Sequence, residues 1–503
     1  MTFLKSEVLI LSQQDTPLFT GLSNYIKNNP IPFHIPGHKK GKGMDPEFRD
    51  FIGENALKID LINIAPLDDL HQPHGMIQDA QRLAAEAFGA DETFFSVQGT
   101  SGAIMTMVLA VCSPGDKILV PRNVHKSVLS AIIFSGAMPI FIYPEIDREL
   151  GISHGISTEA VEKALHEHPD AKALLVINPT YFGISANLKE IVQVAHRFNV
   201  PVLVDEAHGI HIHFHEELPM SAMEAGADMA ATSIHKLGGS LTQSSVLNVR
   251  KGRVSPQHVQ SVLSMMTTTS TSYILLASLD AARRHLMMEG KKEITRAIAL
   301  AKKARTKINT IEGLYSPGKE ILQSSATTAL DPTKVLVSVK KLGISGYEAE
   351  VWLRENRKIE VELSDLYNIL CLITTGDDEE SVSALIEGLH ALSDAHKNKE
   401  NKKTIEKELP VHVPEMPKLA LSPRDAFYAR TEFVPFEKSV GRIIAEFVMV
   451  YPPGIPIFTP GEIITQDNLD YIMENIEAGL PVQGPEDSTL KTLKVVREIT
   501  PIR

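Results

Sequence analysis

Cysteine is almost missing from this chain: two in 503 residues, Cys112 and Cys371. Far apart in sequence, they cannot by themselves build a disulfide framework or a thiolate zinc site, and the expected setting is a reducing cytoplasm. No apolar run approaches the roughly 18 residues of a membrane span. The opening MTFLKSEVLILSQQDTPLFTG has a short apolar run but no convincing cleavage pattern of a signal peptide. A basic surplus is also lacking. Fifty Lys and Arg face 62 Asp and Glu, a formal charge of −12, which argues against a nucleic-acid partner. There is no internal repeat, and no GxxxxGK[ST] phosphate loop.

The remaining composition, 43% apolar and 22% charged, is that of a soluble globular protein. The length predicts about two to four domains. Between residues 75 and 250 short apolar runs alternate with helix-like segments. TFFSV (93–97), KILVP (117–121), MPIFIYP (138–144), ALLVIN (173–178) and PVLVDE (201–206) read as strands, with SGAIMTMVLAVC and NLKEIVQVAHRF as helices. That alternation predicts βαβ units, a mostly parallel sheet buried on both faces, and a ligand crevice at the carboxyl ends of its strands.

In EITRAIALAKKARTKINTI the apolar stripe Ile294, Ala297, Ile298, Ala301, Ala304 and Ile308 predicts a connecting helix. Beyond it, TKVLVSVKKL, GYEAEVWLREN, IEVEL and NILCLITTG suggest a smaller α+β domain. The expected division is an N-terminal segment 1–74, a large domain 75–290, a small domain with its connecting helix 291–393, a charged linker 394–410 and a C-terminal domain 411–503. RIIAEFVMVYPPGIPIFTPGE in the last is apolar enough to enter a core or a subunit contact.

Four stretches carry chemistry. In QGTSGA, Gly99, Thr100, Ser101 and Gly102 open a helix after a strand, which suits a phosphate or a plain N-cap. In RNVHKS, His125 follows a strand, where it is either a hydrogen-bonded structural residue or a ring stacked on a flat cofactor. In DEAHGIHIHF, Asp205 ends a buried strand, where a carboxylate is costly without a cationic partner. His211, His213 and His215 beyond it would share one face of a strand, but no further ligand set is apparent and no metal is expected. In TSIHKLGGSLTQSS, Ser233 and His235 stand just before Lys236. An aspartate for a pyridinium, a lysine for an aldehyde, and hydroxyls at a helix N-terminus for a phosphate are the three handles of pyridoxal 5′-phosphate.

These stretches, with FHIPGHKKG (33–41), LDDLH (67–71), YPPGIPIFTPGE and GLPVQGPEDSTL, resemble the ornithine/lysine/arginine decarboxylases of fold type I over nearly the whole chain. The likeness is strongest to the short bacterial biosynthetic arginine decarboxylases. Since FHIPGHKKG already stands at residue 33, no separate domain is expected ahead of it. The resemblance implies an aspartate aminotransferase-like large domain, with Lys236 as the Schiff-base lysine and Asp205 on the pyridine nitrogen. It implies Thr100, Ser101, Ser233 and His235 around the phosphate, His125 stacked on the ring, and Ala207 and His208 against the other face. TTTSTSY (267–273) resembles a loop that completes a neighbouring subunit's phosphate site, which implies at least a dimer.

The implied reaction removes CO₂ from a basic amino acid, arginine before lysine or ornithine, and returns a proton to Cα from Lys236 or His235. Agmatine would then feed polyamine synthesis. A guanidinium would want a bidentate carboxylate. Glu462 leads, with Asp68 and Asp69 second, each with the alternative of a helix cap or an ordinary ion pair. An aminotransferase or lyase on the same fold, or a silent regulatory relative, are the rival readings.

Overall fold

The computed structural model describes residues 11–397, 414–450, 455–477 and 482–497. Seven strands form the main sheet: β1 (Glu92–Ser96), β2 (Lys117–Pro121), β3 (Met138–Ile142), β4 (Ala173–Ile177), β5 (Val202–Asp205), β6 (Met229–Ser233) and β7 (Ser245–Val249). Their order across the sheet is β1-β7-β6-β5-β4-β2-β3. All neighbours pair in parallel except β7, which runs opposite to both β1 and β6. The expected mostly parallel α/β architecture is therefore present.

Successive side chains of a strand point to opposite faces, and both faces here are covered. Leu203, Ile118 and Val120 pack with Ala103, Ile104 and Met107 of α3 (Gly99–Val111) and with Val128 and Ile132 of α4 (Lys126–Ser135). Val202, Val204, Leu119 and Leu174 turn to the other side, against Ile191, Val192 and Ala195 of α5 (Leu188–Arg197). That two-sided burial is why these strands read as continuous apolar runs.

The N-terminal segment is not a separate body. Leu18 and Leu22 of α1 (Pro17–Lys27), together with Leu61, Leu67 and Leu70, share one core with Ile77, Ala80 and Phe88 of α2 (Met76–Phe88), Phe95 and Val246. The connecting helix is longer than its stripe predicted. As α6 it runs unbroken from Tyr273 to Ile308, so the expected boundary at 290/291 falls inside it. Its first half lies on the large-domain core and its second half on the small domain.

In the small domain β8 (Lys334–Ser338), β9 (Leu363–Ser364) and β10 (Asn368–Leu372) form an antiparallel sheet, order β8-β10-β9. It is backed by α7 (Gly346–Arg357) and α8 (Glu379–His396). Residues 394–396 of the expected linker finish α8, and from residue 398 the linker lies outside the described residues. The C-terminal domain has a core of its own around Ile444, Val448, Ile457, Phe458 and Val495, which bears out the apolar reading of that stretch. Its strand β11 (Ile455–Phe458) receives Arg122, which follows β2: Nε donates to the Pro456 carbonyl at 2.9 Å and Nη2 to that of Ile457 at 3.1 Å.

Candidate active site

Because β7 runs against its neighbours, its first residue lies at the same sheet edge as their last ones. The register pairs Ser245 with both Ser233 and Ser96. Thr100, in the first turn of α3, reaches into this row: its Oγ1 is 2.9 Å from Oγ of Ser245 and also meets Oγ of Ser233. No side chain caps the N-terminus of α3; the Gly99 amide donates to the Gln243 carbonyl at 2.9 Å, which leaves the positive end of the helix to the next amides, those of Thr100 and Ser101. Gly99, at φ +67°, makes the turn that starts the helix. Ser101 is exposed on the same turn. A cradle of hydroxyls and helix amides results.

One strand over, Asp205 ends β5 and is 5% exposed, accepting a hydrogen bond from the Ala207 amide at 3.2 Å. Burial pushes its carboxyl up to about 6, against the pull of that amide and of Lys236. A cationic ring nitrogen would supply what this carboxylate needs. Lys236 sits in the short helix Ile234–Leu237 that follows β6, and burial lowers its ammonium pKa while Asp205 and Glu362 oppose the shift. Its Nζ is 2.7 Å from Nε2 of His208.

His208 is buried, and burial followed by the charges of Lys334 and Lys236 holds its pKa well below the ordinary value. The Tyr181 ring leans on it, centroids 4.3 Å apart and tilted by 54°, and the Tyr181 hydroxyl donates to Glu362. Lys334 Nζ lies 3.1 Å from the other ring nitrogen, Nδ1. Burial would raise Asp331 nearby, but the His211 ring at 2.7 Å and Lys334 bring it down to about 2.

The remaining expected residues fall unevenly. His125 caps α4, its Nδ1 accepting from the Ser127 amide at 3.2 Å, and burial and then Lys236 lower its pKa. A cap does not preclude stacking. His235 holds the Ser244 carbonyl through Nδ1 at 2.8 Å. In the TTTSTSY stretch Ser272 caps α6, and Tyr273 donates to the Asp68 carbonyl at 2.6 Å.

Two expectations for the guanidinium are corrected. Glu462 already receives one from within the chain: Arg122 Nη1 and Nη2 lie 2.5 and 2.9 Å from its two carboxylate oxygens, and both side chains are buried. Asp68 accepts amides of Asp69, His74, Gly75 and Ile77, and these bonds overcome burial to lower its pKa. It is a loop organiser. Asp69 is half-buried and accepts the His71 amide at 3.0 Å. The three alternating histidines do not share a strand face, because residues 210–214 form a 3₁₀ turn. His211 pairs with Asp331, His213 with Glu206 and His215 with Thr295. Among the described residues no cluster of three or more ligands suits a metal.

Lys334, Tyr181 and Glu362 were missed. Tyr181 follows β4 at the carboxyl edge, a position the crevice rule covers. A lysine heading the apolar run KVLVS was the available signal for Lys334.

A sheet of this order, with a lysine, an aspartate and a hydroxyl cradle at its carboxyl edge, defines fold type I. Comparison with solved structures agrees: a lysine decarboxylase of Francisella novicida superposes with a TM-score of 0.84 at 23% identity, over 96% of this chain and 81% of that one. The family model for the Orn/Lys/Arg decarboxylase major domain matches residues 16–381, and that for the family's C-terminal domain matches 406–481. The chain belongs to the Orn/Lys/Arg decarboxylase family. Among its relatives, a protein of Bacillus anthracis named arginine decarboxylase is 70% identical, over 98% of this chain and 99% of that one. One of Halalkalibacterium halodurans with the same name is 68% identical over 98% and 99%.

Proposed function

We propose that this protein converts L-arginine to agmatine and CO₂ with pyridoxal 5′-phosphate, as a cytoplasmic enzyme feeding polyamine synthesis. The observation that carries the reading is the convergence of Lys236, Asp205 and the Thr100–Ser233–Ser245 hydroxyls at one sheet edge. Arginine as substrate rests on the relatives at 70% and 68% identity.

The residues fit the cofactor. An uncapped helix N-terminus stands beside hydroxyls for the phosphate, and a buried carboxylate stands ready for the ring nitrogen. When bound, the group supplies an electron sink for the pair left on Cα as CO₂ departs. Asp205 would hold a proton on the ring nitrogen. Thr100, Ser101, Ser233 and His235 would hold the phosphate, with His125 on one face and Ala207 and His208 on the other. Lys236 would bond the aldehyde, yield that place to the substrate amine, and stand by as a proton carrier to Cα, with His235 as the other candidate. The burial of His208 and Asp205 would limit water beside the ring, so that the proton returned to Cα comes from a side chain.

Of the three acids considered for the guanidinium, Asp69 keeps the most open carboxylate. A second copy of the chain would add a hydroxyl from residues 267–272, making the working unit at least a dimer. The test is borohydride reduction of the cofactor-loaded protein followed by peptide mass mapping. A pyridoxyl phosphate adduct on Lys236, lost in Lys236→Ala, supports the reading; an adduct elsewhere, or none, overturns it.

A further inference from the structure

Lys334 has no task in that reading, yet it is a buried cation that shares the His208 ring with Lys236. It opens β8 in the small domain and is 1% exposed. Its Nζ faces Nδ1 of His208 at 3.1 Å, and Nζ of Lys236 faces Nε2 of the same ring at 2.7 Å. One imidazole bridges two primary amines.

That bridge limits protonation. A neutral imidazole has one N–H and one lone-pair nitrogen, and burial together with the two lysines keeps His208 neutral. The ring can accept from one amine but must donate to the other, and the amine that receives must offer a lone pair. Two ammonium groups cannot satisfy both contacts, so at most one of the two lysines carries the extra proton.

We propose that Lys334 is the proton partner of Lys236: through His208 it takes the proton that Lys236 must lose to act as a free amine, and gives it back when Lys236 needs it. The transfer balances within the three side chains. The Lys236 ammonium passes a proton to Nε2 while the Nδ1 proton moves to the Lys334 lone pair. The ring ends neutral in the other tautomer, and nothing is exchanged with solvent. Lys334 is thus a positioning residue, acting on the reacting amine through His208.

The surroundings suit a proton that can rest at either end. Asp331 favours charge on Lys334, Asp205 favours it on Lys236, and Glu362 acts on both. His211 and His125 act on His208, and the Tyr181 ring fixes its plane. Burial brings the Lys334 ammonium down to about 8, low enough to give a proton as well as take one.

The inference rests on the assignment of Lys236 above, and the experiment separates the two. The full-length chain, stripped of cofactor, is mixed with pyridoxal 5′-phosphate across a pH series while Schiff-base absorbance is followed. For Lys334→Met the midpoint pH of capture rises by at least about one unit, because the internal proton acceptor and the neighbouring charge are both lost. For Lys334→Arg, a cation that cannot deprotonate, the midpoint stays at or below that of the parent. Should the Met variant not fold, Lys334→Gln is read in its place with the same expected rise. An unchanged midpoint in the neutral variant, or equal upward shifts in it and in Arg, overturns the inference. A parent that forms no Schiff base overturns the assignment of Lys236 itself.

Discussion

Arg122 and Glu462, 340 positions apart in the chain, meet as a two-pronged ion pair with both side chains 1% exposed. Glu462 also accepts the Thr459 amide at 2.7 Å, and the Arg122 guanidinium lies 4.4 Å over the Phe141 ring. The pair therefore pins the C-terminal domain to the edge of the main sheet. Removing one partner of a buried pair strands the other charge and costs about 3–5 kcal/mol. Glu462→Ala is expected to lower the unfolding temperature and destabilise the chain by that amount. A rise in KM for arginine with stability intact would instead return Glu462 to the substrate.

Asp205 carries the opposite sign of linkage from an ordinary paired carboxylate. Its raised pKa means that the folded, cofactor-free chain binds a proton the unfolded chain has lost, so its contribution to stability falls as pH rises from about 4 to about 6. Asp205→Asn is expected to stabilise the cofactor-free chain at pH 8 by about 1–3 kcal/mol in denaturant unfolding, the gain vanishing below about pH 4. In the loaded enzyme the same change is expected to lower kcat at least about a hundredfold.

Asp331 behaves the other way. Held near 2, it contributes stability above the unfolded value of about 4 that is lost as pH falls toward 2. Asp331→Asn is expected to cost about 2–3 kcal/mol at pH 7. The gap between parent and variant narrows in acid, as urea titrations at the two pH values would show.

Thr100 and Ser233 touch one another, and in the proposed function both hold the phosphate. Each alanine substitution is expected to weaken pyridoxal 5′-phosphate binding by about 1 kcal/mol, roughly fivefold, in equilibrium dialysis. The double variant is expected to lose less than the sum, since the two hydroxyls share one network. Full additivity would mean that they act on separate partners.

Much of this molecule was legible because its central strands are buried on both faces and read as unbroken apolar runs. Asp205 and Lys236 were legible because each follows such a run, at the edge where ligands bind. What escaped depends on partners that only the tertiary fold supplies. Nothing in TPGE announces Arg122 as the partner of Glu462, and nothing in DPTKV places Lys334 across from His208. The alternation His-Ile-His-Phe-His has the period of a strand, yet residues 210–214 wind into a 3₁₀ turn. Asp331, Glu206 and Thr295 each take one of its rings. Local spacing could not foresee three separate captures.

Release of CO₂ tests the proposed decarboxylation. The purified protein, loaded with pyridoxal 5′-phosphate, is given arginine, lysine and ornithine in turn, with gas and amine products followed together. CO₂ and agmatine are expected in equal amounts from arginine, with little from the other two. A Schiff-base band with no CO₂ from any of them would contradict it.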